Sequence, residues 1–380
     1  MKILFASALP YLPQLLGGLN TNTHELATEL LGRGHQVSVL TRLSYGNWFG
    51  FRHMVSMRVH GRRTTVSTDF GYPVFRARKP WEVASELLDC DVVVIQDGSM
   101  LTIAGAFARL GKPTVAYLHG LEFETWQWEG RRAEPADLPM IGYIANSQFT
   151  AGRFHARYGL TARVIPPVFR AERYRTEVDP EFVTFINPVS VKGLDLALEI
   201  AAGAPKIPFC FVKGWPIPLQ DLLRLRRGLK RAPNITLHGR TQDMRQVYRK
   251  TRVLLAPSQW EAETWGRVVS EAHFSGIPAI TSDRGGLPEA VGPGGLVLRF
   301  DAPAERWVAA ITRLWTDKPF YEQKAAAART HAKRAILNID VQVDTFVNGL
   351  KEYLSRPQTH RGRAHPGVTR PMGQLATHLR

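Results

Sequence analysis

The sequence predicts an α/β protein of two domains, and three observations carry that expectation. The chain has 380 residues, too many for one ordinary core and enough for two. Short β-branched runs alternate with amphipathic helical stretches, the pattern of parallel sheets covered by helices. That alternation breaks once, between Pro166 and Pro180, where Pro, Arg and Glu replace apolar periodicity and a linker is expected.

Taken in order, Ile3 to Ala6 reads as a first buried strand. Thr21 to Gly32 reads as a helix with Leu26, Ala27, Leu30 and Leu31 on its apolar face, and Gln36 to Leu40 returns as a strand. Asp91 to Ile95, Thr114 to Leu118, Ile141 to Ala145 and Arg163 to Ile165 follow, each short, apolar and bounded by Gly, Pro, Asn or Asp. Beyond the linker, strands are expected at Phe182 to Ile186, Phe209 to Val212, Ile235 to Leu237, Val253 to Ala256, Ala279 to Thr281 and Leu296 to Leu298. Helices are expected at Gly193 to Ala202, Leu219 to Leu229, Gly266 to Phe274, Ala302 to Thr316, Phe320 to Ala335 and Val341 to Leu354. The resulting division is a domain at 1–168, a linker at 169–181, a second domain at 182–336, a helix at 337–355 that packs back on the first domain, and a disordered basic tail at 356–380. Ligands of such sheets bind beyond the carboxyl ends of the strands, so the cleft between the domains is the expected site.

Composition narrows the class. The apolar fraction is 44% and the mean hydropathy is −0.17, as in soluble globular proteins. The longest apolar runs, such as Val92 to Ile95, are strand-sized and far short of the ~20 residues of a membrane span. Lys2 and the apolar residues after it look like the start of a leader peptide, but Pro10, Pro13 and Gly17-Gly18 interrupt it, so a strand and its loop is the reading. Cys90 and Cys210 both lie beside strand-like runs and read as free thiols in a reducing, cytoplasmic setting. The net charge of +16 suits nucleic acid, an anionic membrane surface or phosphorylated substrates, and equally a plain solvated basic surface. No basic-and-aromatic nucleic-acid module and no Cys/His zinc spacing is present, so nucleic acid is not an expected partner. Arg52 to Arg63, interleaved near Phe49, Phe51 and Met54, suits contact with the inner face of an anionic bilayer or a bare exposed loop.

The chemistry concentrates in Ala256 to Glu289. It reads as a strand, a loop holding Glu263, a helix starting near Gly266 with Glu271 on it, a turn, a strand, and Gly285-Gly-Leu-Pro-Glu289. A helix N-terminus offers unpaired N–H groups and a partial positive charge, which suit a diphosphate. Gly266 allows close approach of a ligand to the backbone. Two carboxylates near one helix start suit sugar and ribose hydroxyls, although Glu271 alone also suits an i,i+4 pair with Arg267. This segment resembles the donor-binding signature of family 4 retaining glycosyltransferases. The resemblance implies the GT-B fold, two Rossmann-like α/β domains facing each other across a cleft, and a nucleotide-sugar donor. It implies that Glu263 faces the transferred sugar, that Glu271 binds the ribose, and that the amides of Trp265, Gly266 and Arg267 meet the sugar or diphosphate. The family usually has Phe or Tyr where Trp265 stands.

Phe185 to Asp195 resembles the same family's first donor-domain strand and loop, and by that resemblance Lys192 binds the diphosphate and stabilises the departing nucleotide. Many members carry Gly-Arg where this chain has Asn187-Pro188, so one family cation is missing, with Arg240 or Lys213 as substitutes. Gly17-Gly18 resembles the family's opening loop against the donor phosphates. Val115 to Gly120 resembles the strand end that points a His into the cleft, which makes His119 a sugar or phosphate contact. Asn146-Ser147 and Val164 to Pro167 match the end of the first domain. The expected catalytic set is therefore Glu263, His119 and Lys192, with no resident cofactor and no essential metal. Asp89-Cys90-Asp91 spells the metal motif of another transferase fold, but it stands at the start of a strand and reads as a strand cap. Rival readings are a catalytically silent nucleotide-sugar or polysaccharide binder, a sugar-nucleotide epimerase, or a phosphorylase of the same architecture. The acceptor is not legible in these residues.

Overall fold

The computed structural model describes residues 1–121, 127–128, 131–132 and 139–356. The expected basic tail lies outside them beyond Arg356. The first sheet holds β1 (Lys2–Ala6), β2 (Gln36–Arg42), β3 (Thr64–Ser67), β4 (Val74–Ala77), β5 (Val92–Gln96) and β6 (Thr114–Leu118). A separate pair, β7 (Gln127–Trp128) and β8 (Arg131–Arg132), precedes β9 (Gly142–Ala145) and β10 (Arg163–Val164), which complete that sheet. Its order is β10-β9-β6-β5-β1-β2-β4-β3, parallel apart from the β3–β4 hairpin edge. Val92 to Ile95 at its centre are fully buried, which is why they read as one apolar run and not as an alternation.

The second sheet holds β11 (Phe182–Ile186), β12 (Phe209–Val212), β13 (Ile235–His238), β14 (Thr251–Ala256), β15 (Ala279–Ser282) and β16 (Gly295–Leu298). All its pairings are parallel and its order is β13-β12-β11-β14-β15-β16. Counted within the domain this is 3-2-1-4-5-6, the doubly wound order, whose crevice opens between β11 and β14. The first sheet reverses direction between β1 and β5 in the same way. These two switch points position everything that follows.

The 169–181 stretch is more firmly held than its polar composition suggested. Phe169 and Tyr174 are buried against Phe274 of the second domain, Phe169 edge-on and Tyr174 stacked. The Ile339–Ser355 helix returns to the first domain. Val343, Phe346 and Leu350 join the core of Phe5, Leu26 and Val37, and the Tyr353 hydroxyl donates to the Tyr143 carbonyl at 2.8 Å. Gly142 makes room for it, because a Cβ there would stand 2.4 Å from the Tyr353 ring.

Several helices were not anticipated. Trp48–Val59 replaces the expected basic loop, and Met100–Arg109, Gln148–Tyr158, Met244–Arg249 and Leu287–Val291 are additional. Asp89 and Asp91 hold the first strand. Asp91 accepts the Lys2 amide at 2.7 Å and Asp89 pairs with the Lys2 ammonium at 2.5 Å.

Candidate active site

A cavity of about 750 Å³ lies between the two switch points. Gly17, Gly18, His119, Lys192, Arg240, Glu263, Trp265, Gly266, Arg267 and Glu271 all line it, so residues spread over 255 positions converge on one cleft. Lys213 does not line it.

The loop carrying Glu263 is set by glycines. A Cβ on Gly285 would stand 2.1 Å from the Glu263 carbonyl oxygen, and one on Gly286 2.1 Å from that of Thr264. The Gly286 amide donates to the Glu263 carbonyl at 2.8 Å. Gly-Gly is therefore required so that one loop can lie on another. Gly193, at φ +88°, similarly lets the Lys192 turn sit on Pro257, whose oxygen a Cβ would approach to 2.0 Å.

Glu263 is buried, pairs with the Lys192 ammonium and accepts the Ser258 hydroxyl at 3.0 Å. Lys192 also lies over the rings of Trp215 and Trp260, 5.0 and 4.8 Å from their centroids. Neither tryptophan was singled out from the sequence. They are 45 positions apart, and only the topology brings them together. Asn187 occupies the left-handed region at φ 62° and accepts the Trp215 amide at 2.8 Å. Asn tolerates that backbone where most residues do not, which explains an Asn at the family's glycine position.

Gly266, at φ +81°, opens the Arg267–His273 helix. Its Cβ would stand 2.4 Å from a Leu287 methyl. Trp265 donates its indole N–H to Ser270 at 3.0 Å, and its ring is packed into the second-domain core. Glu271 accepts the Tyr248 hydroxyl at 2.7 Å and lies 3.5 Å from the Arg267 guanidinium. Burial raises its carboxyl, and Arg267 opposes that rise. Arg267 reaches across the domains to the Val168 carbonyl at 3.1 Å, to Glu25 at 3.4 Å and to the Tyr174 hydroxyl at 3.2 Å. Its side chain is thus a clasp between domains. Gly18 lets that clasp form, since a Cβ there would lie 3.1 Å from Arg267 Cδ.

On the opposite wall, the Thr264 hydroxyl donates to the His119 carbonyl at 2.6 Å and accepts from Asn146 at 2.8 Å. Glu289 accepts the Gln148 amide at 2.8 Å, capping a first-domain helix from the second domain. Burial, aided by Arg267, pushes the His119 imidazole down to about 3, so it faces the cleft neutral. Asp97 was missed from the sequence. It ends β5 at the switch point in a run of three left-handed residues, Asp97 (φ 35°), Gly98 (φ 52°) and Ser99 (φ 47°). Strain of this kind collects at functional sites. Burial raises the Asp97 carboxyl. Asp-Gly-Ser after an apolar strand was the available signal.

His273, buried behind the Arg267–His273 helix, is also pushed down to about 3 by burial, then by His331 and Arg334. A buried neutral histidine stabilises the fold above its unfolded value of about 6.5, and that contribution declines as pH falls from there toward the folded value. Stability measured by urea denaturation should therefore drop between pH 7 and pH 5 by roughly 1–2 kcal/mol per such histidine. His273→Asn should flatten that slope.

Residues 16–173 match the family model described as Glycosyltransferase Family 4, and residues 182–317 match the model described as Glycosyl transferases group 1. Among curated proteins, the chain is 30% identical to the sulfoquinovosyl transferase SQD2 of Arabidopsis thaliana over 139 residues, 35% of this chain and 26% of that protein. It is 28% identical to the D-inositol 3-phosphate glycosyltransferase of Segniliparus rotundus over 218 residues, 50% of this chain and 48% of that protein. The chain thus spans less than half the length of these two relatives. Among solved structures, HepE from Anabaena in complex with UDP-glucose superposes with a TM-score of 0.72 at 18% identity, covering 93% of this chain and 100% of that one.

Proposed function

Because the chain belongs to family 4 of the glycosyltransferases and carries their GT-B fold, we propose that it moves a hexose-type sugar from a nucleoside-diphosphate sugar to a glycan, lipid-linked or small-molecule acceptor. The reaction retains anomeric configuration and needs no essential metal. The observation that carries this reading is the convergence of Lys192, Glu263, Glu271 and the Gly266 helix start on one cleft, opposite Gly17-Gly18 and His119. The UDP-glucose bound to HepE supports a donor of this class.

The diphosphate lies between Lys192 and the amides at Gly266, and Glu271 takes the ribose. Phosphate competes with Glu263 for the Lys192 ammonium. Releasing that pair frees Glu263 to accept sugar hydroxyls, which His119 also orients as a neutral group. The bond from the sugar C1 to the phosphate oxygen breaks as the acceptor oxygen bonds C1 from the same face, and the acceptor proton passes to the leaving phosphate. Arg240, on the cleft wall, supplies the second cation that Pro188 cannot. Asp97 meets the acceptor. Asp97→Asn should raise the acceptor KM about tenfold and leave the donor Kd unchanged.

The test is turnover of UDP- and GDP-sugars with mixed acceptors in EDTA, with the product anomer read by NMR. A retained anomer formed in EDTA is expected. An inverted product, or loss of turnover in EDTA, contradicts the mechanism. Donor binding with no turnover on any acceptor or water supports the silent binder instead.

A further inference from the structure

The Trp48–Val59 helix is apolar on two faces and covered on one. Phe49, His53 and Met57 face the domain, and Phe49 lies under the buried Arg76 guanidinium at 5.0 Å. On the outer side stand Trp48, 75% exposed, Phe51, 47%, Val55, 41%, and Val59, 74%. Their spacing of three, four and four residues forms one continuous stripe along the helix. A contiguous exposed apolar stripe of this kind marks an interaction surface.

Charge selects the partner. Arg52 and Arg58 flank the stripe, Arg62 follows it, and residues 43–68 contain no Asp or Glu, while Arg63 is turned to Glu82 and Glu86. A helix with exposed Trp, Phe and Val along one line and arginines at its borders matches the boundary between acyl chains and anionic headgroups. We propose that this helix seats the protein on an anionic bilayer, with Trp48, Phe51, Val55 and Val59 in the headgroup-acyl boundary and Arg52, Arg58 and Arg62 on lipid phosphates.

The helix is also tied to the cleft. Gln14 donates to the Ser44 carbonyl at 2.7 Å and to Asn47, the residue that caps the helix, at 3.1 Å. The next two residues, Leu15 and Leu16, line the cleft and are themselves exposed. A membrane under the helix therefore lies at the mouth of the first-domain side of the cleft. On the transferase reading given above, this favours an acceptor borne by lipid.

Sedimentation with sucrose-loaded vesicles tests the surface without requiring turnover. Vesicles of phosphatidylcholine with phosphatidylglycerol should carry the protein at low salt, and pure phosphatidylcholine should carry at least about tenfold less. Trp48→Ser with Phe51→Ser, and separately Arg52→Gln with Arg58→Gln, should each lower the bound fraction about tenfold while thermal melting stays unchanged. Absence of binding to anionic vesicles at low salt overturns the proposal. So does equal binding by both double variants, or a concentration-dependent dimer that the Trp48→Ser/Phe51→Ser variant abolishes.

Discussion

Lys192→Ala should lower kcat about 100- to 1,000-fold, the loss expected when one preorganised cation is removed from a departing diphosphate. The residue has no alternative task of comparable weight. Its ammonium is framed by Trp215 and Trp260 and paired with Glu263 inside the cleft. Stability should fall by only about 1 kcal/mol, because Glu263 keeps the Ser258 hydroxyl and lines the cleft. Lys192→Arg should recover part of the rate, since it restores charge but not the shape held by the two rings. Steady-state kinetics and a thermal melt on the three proteins check this. A kcat unchanged in Lys192→Ala would remove Lys192 from the mechanism.

Arg267→Leu should be the most destabilising of the site substitutions, by about 3–5 kcal/mol. It leaves two buried carboxylates, Glu25 and Glu271, without their shared cation. It also removes the bond to Val168 that joins the domains. Burial already raises both carboxyls, and Arg267 opposes that in each. Without it they rise further, and a raised carboxyl favours the folded state at low pH. The deficit should therefore be largest at pH 7 and shrink toward pH 5 as the carboxyls protonate. Adding Glu25→Gln should recover part of the loss. Urea denaturation at the two pH values measures both effects. A deficit that is independent of pH would mean that Arg267 acts by packing on Phe169, which lies 4.2 Å from it, and not by charge.

The parts of the fold visible in the sequence were those whose burial is simple. β6, β11 and β12 were read to the residue because both faces are buried and the runs are uninterrupted. The Trp48–Val59 helix was not, because it is apolar toward both core and solvent and so lacks a single helical stripe. Gln148–Tyr158 did carry its signals, a Ser147 cap bonding to the Thr150 amide and a left-handed Gly159 at its end. Its weakly apolar interior masked them. In the cleft, motifs named the residues that act through fixed local geometry, such as Gly266 at a helix start and the Gly285-Gly286 pair under the Glu263 loop. Contacts formed only by topology were hidden: the Trp215–Trp260 frame, the Asp97 turn and the reach of Arg267 to Glu25.

The central claim is that Lys192 and the Gly266 helix start form a nucleoside-diphosphate site. A calorimetric titration of the full chain with UDP, GDP, ADP and TDP, with and without Mg²⁺, tests it most directly when repeated on Lys192→Ala. The account predicts tight binding of one of these nucleotides, independent of Mg²⁺ and weakened at least about tenfold by the substitution. Binding that the substitution leaves unchanged, or no binding of any of the four, would contradict it.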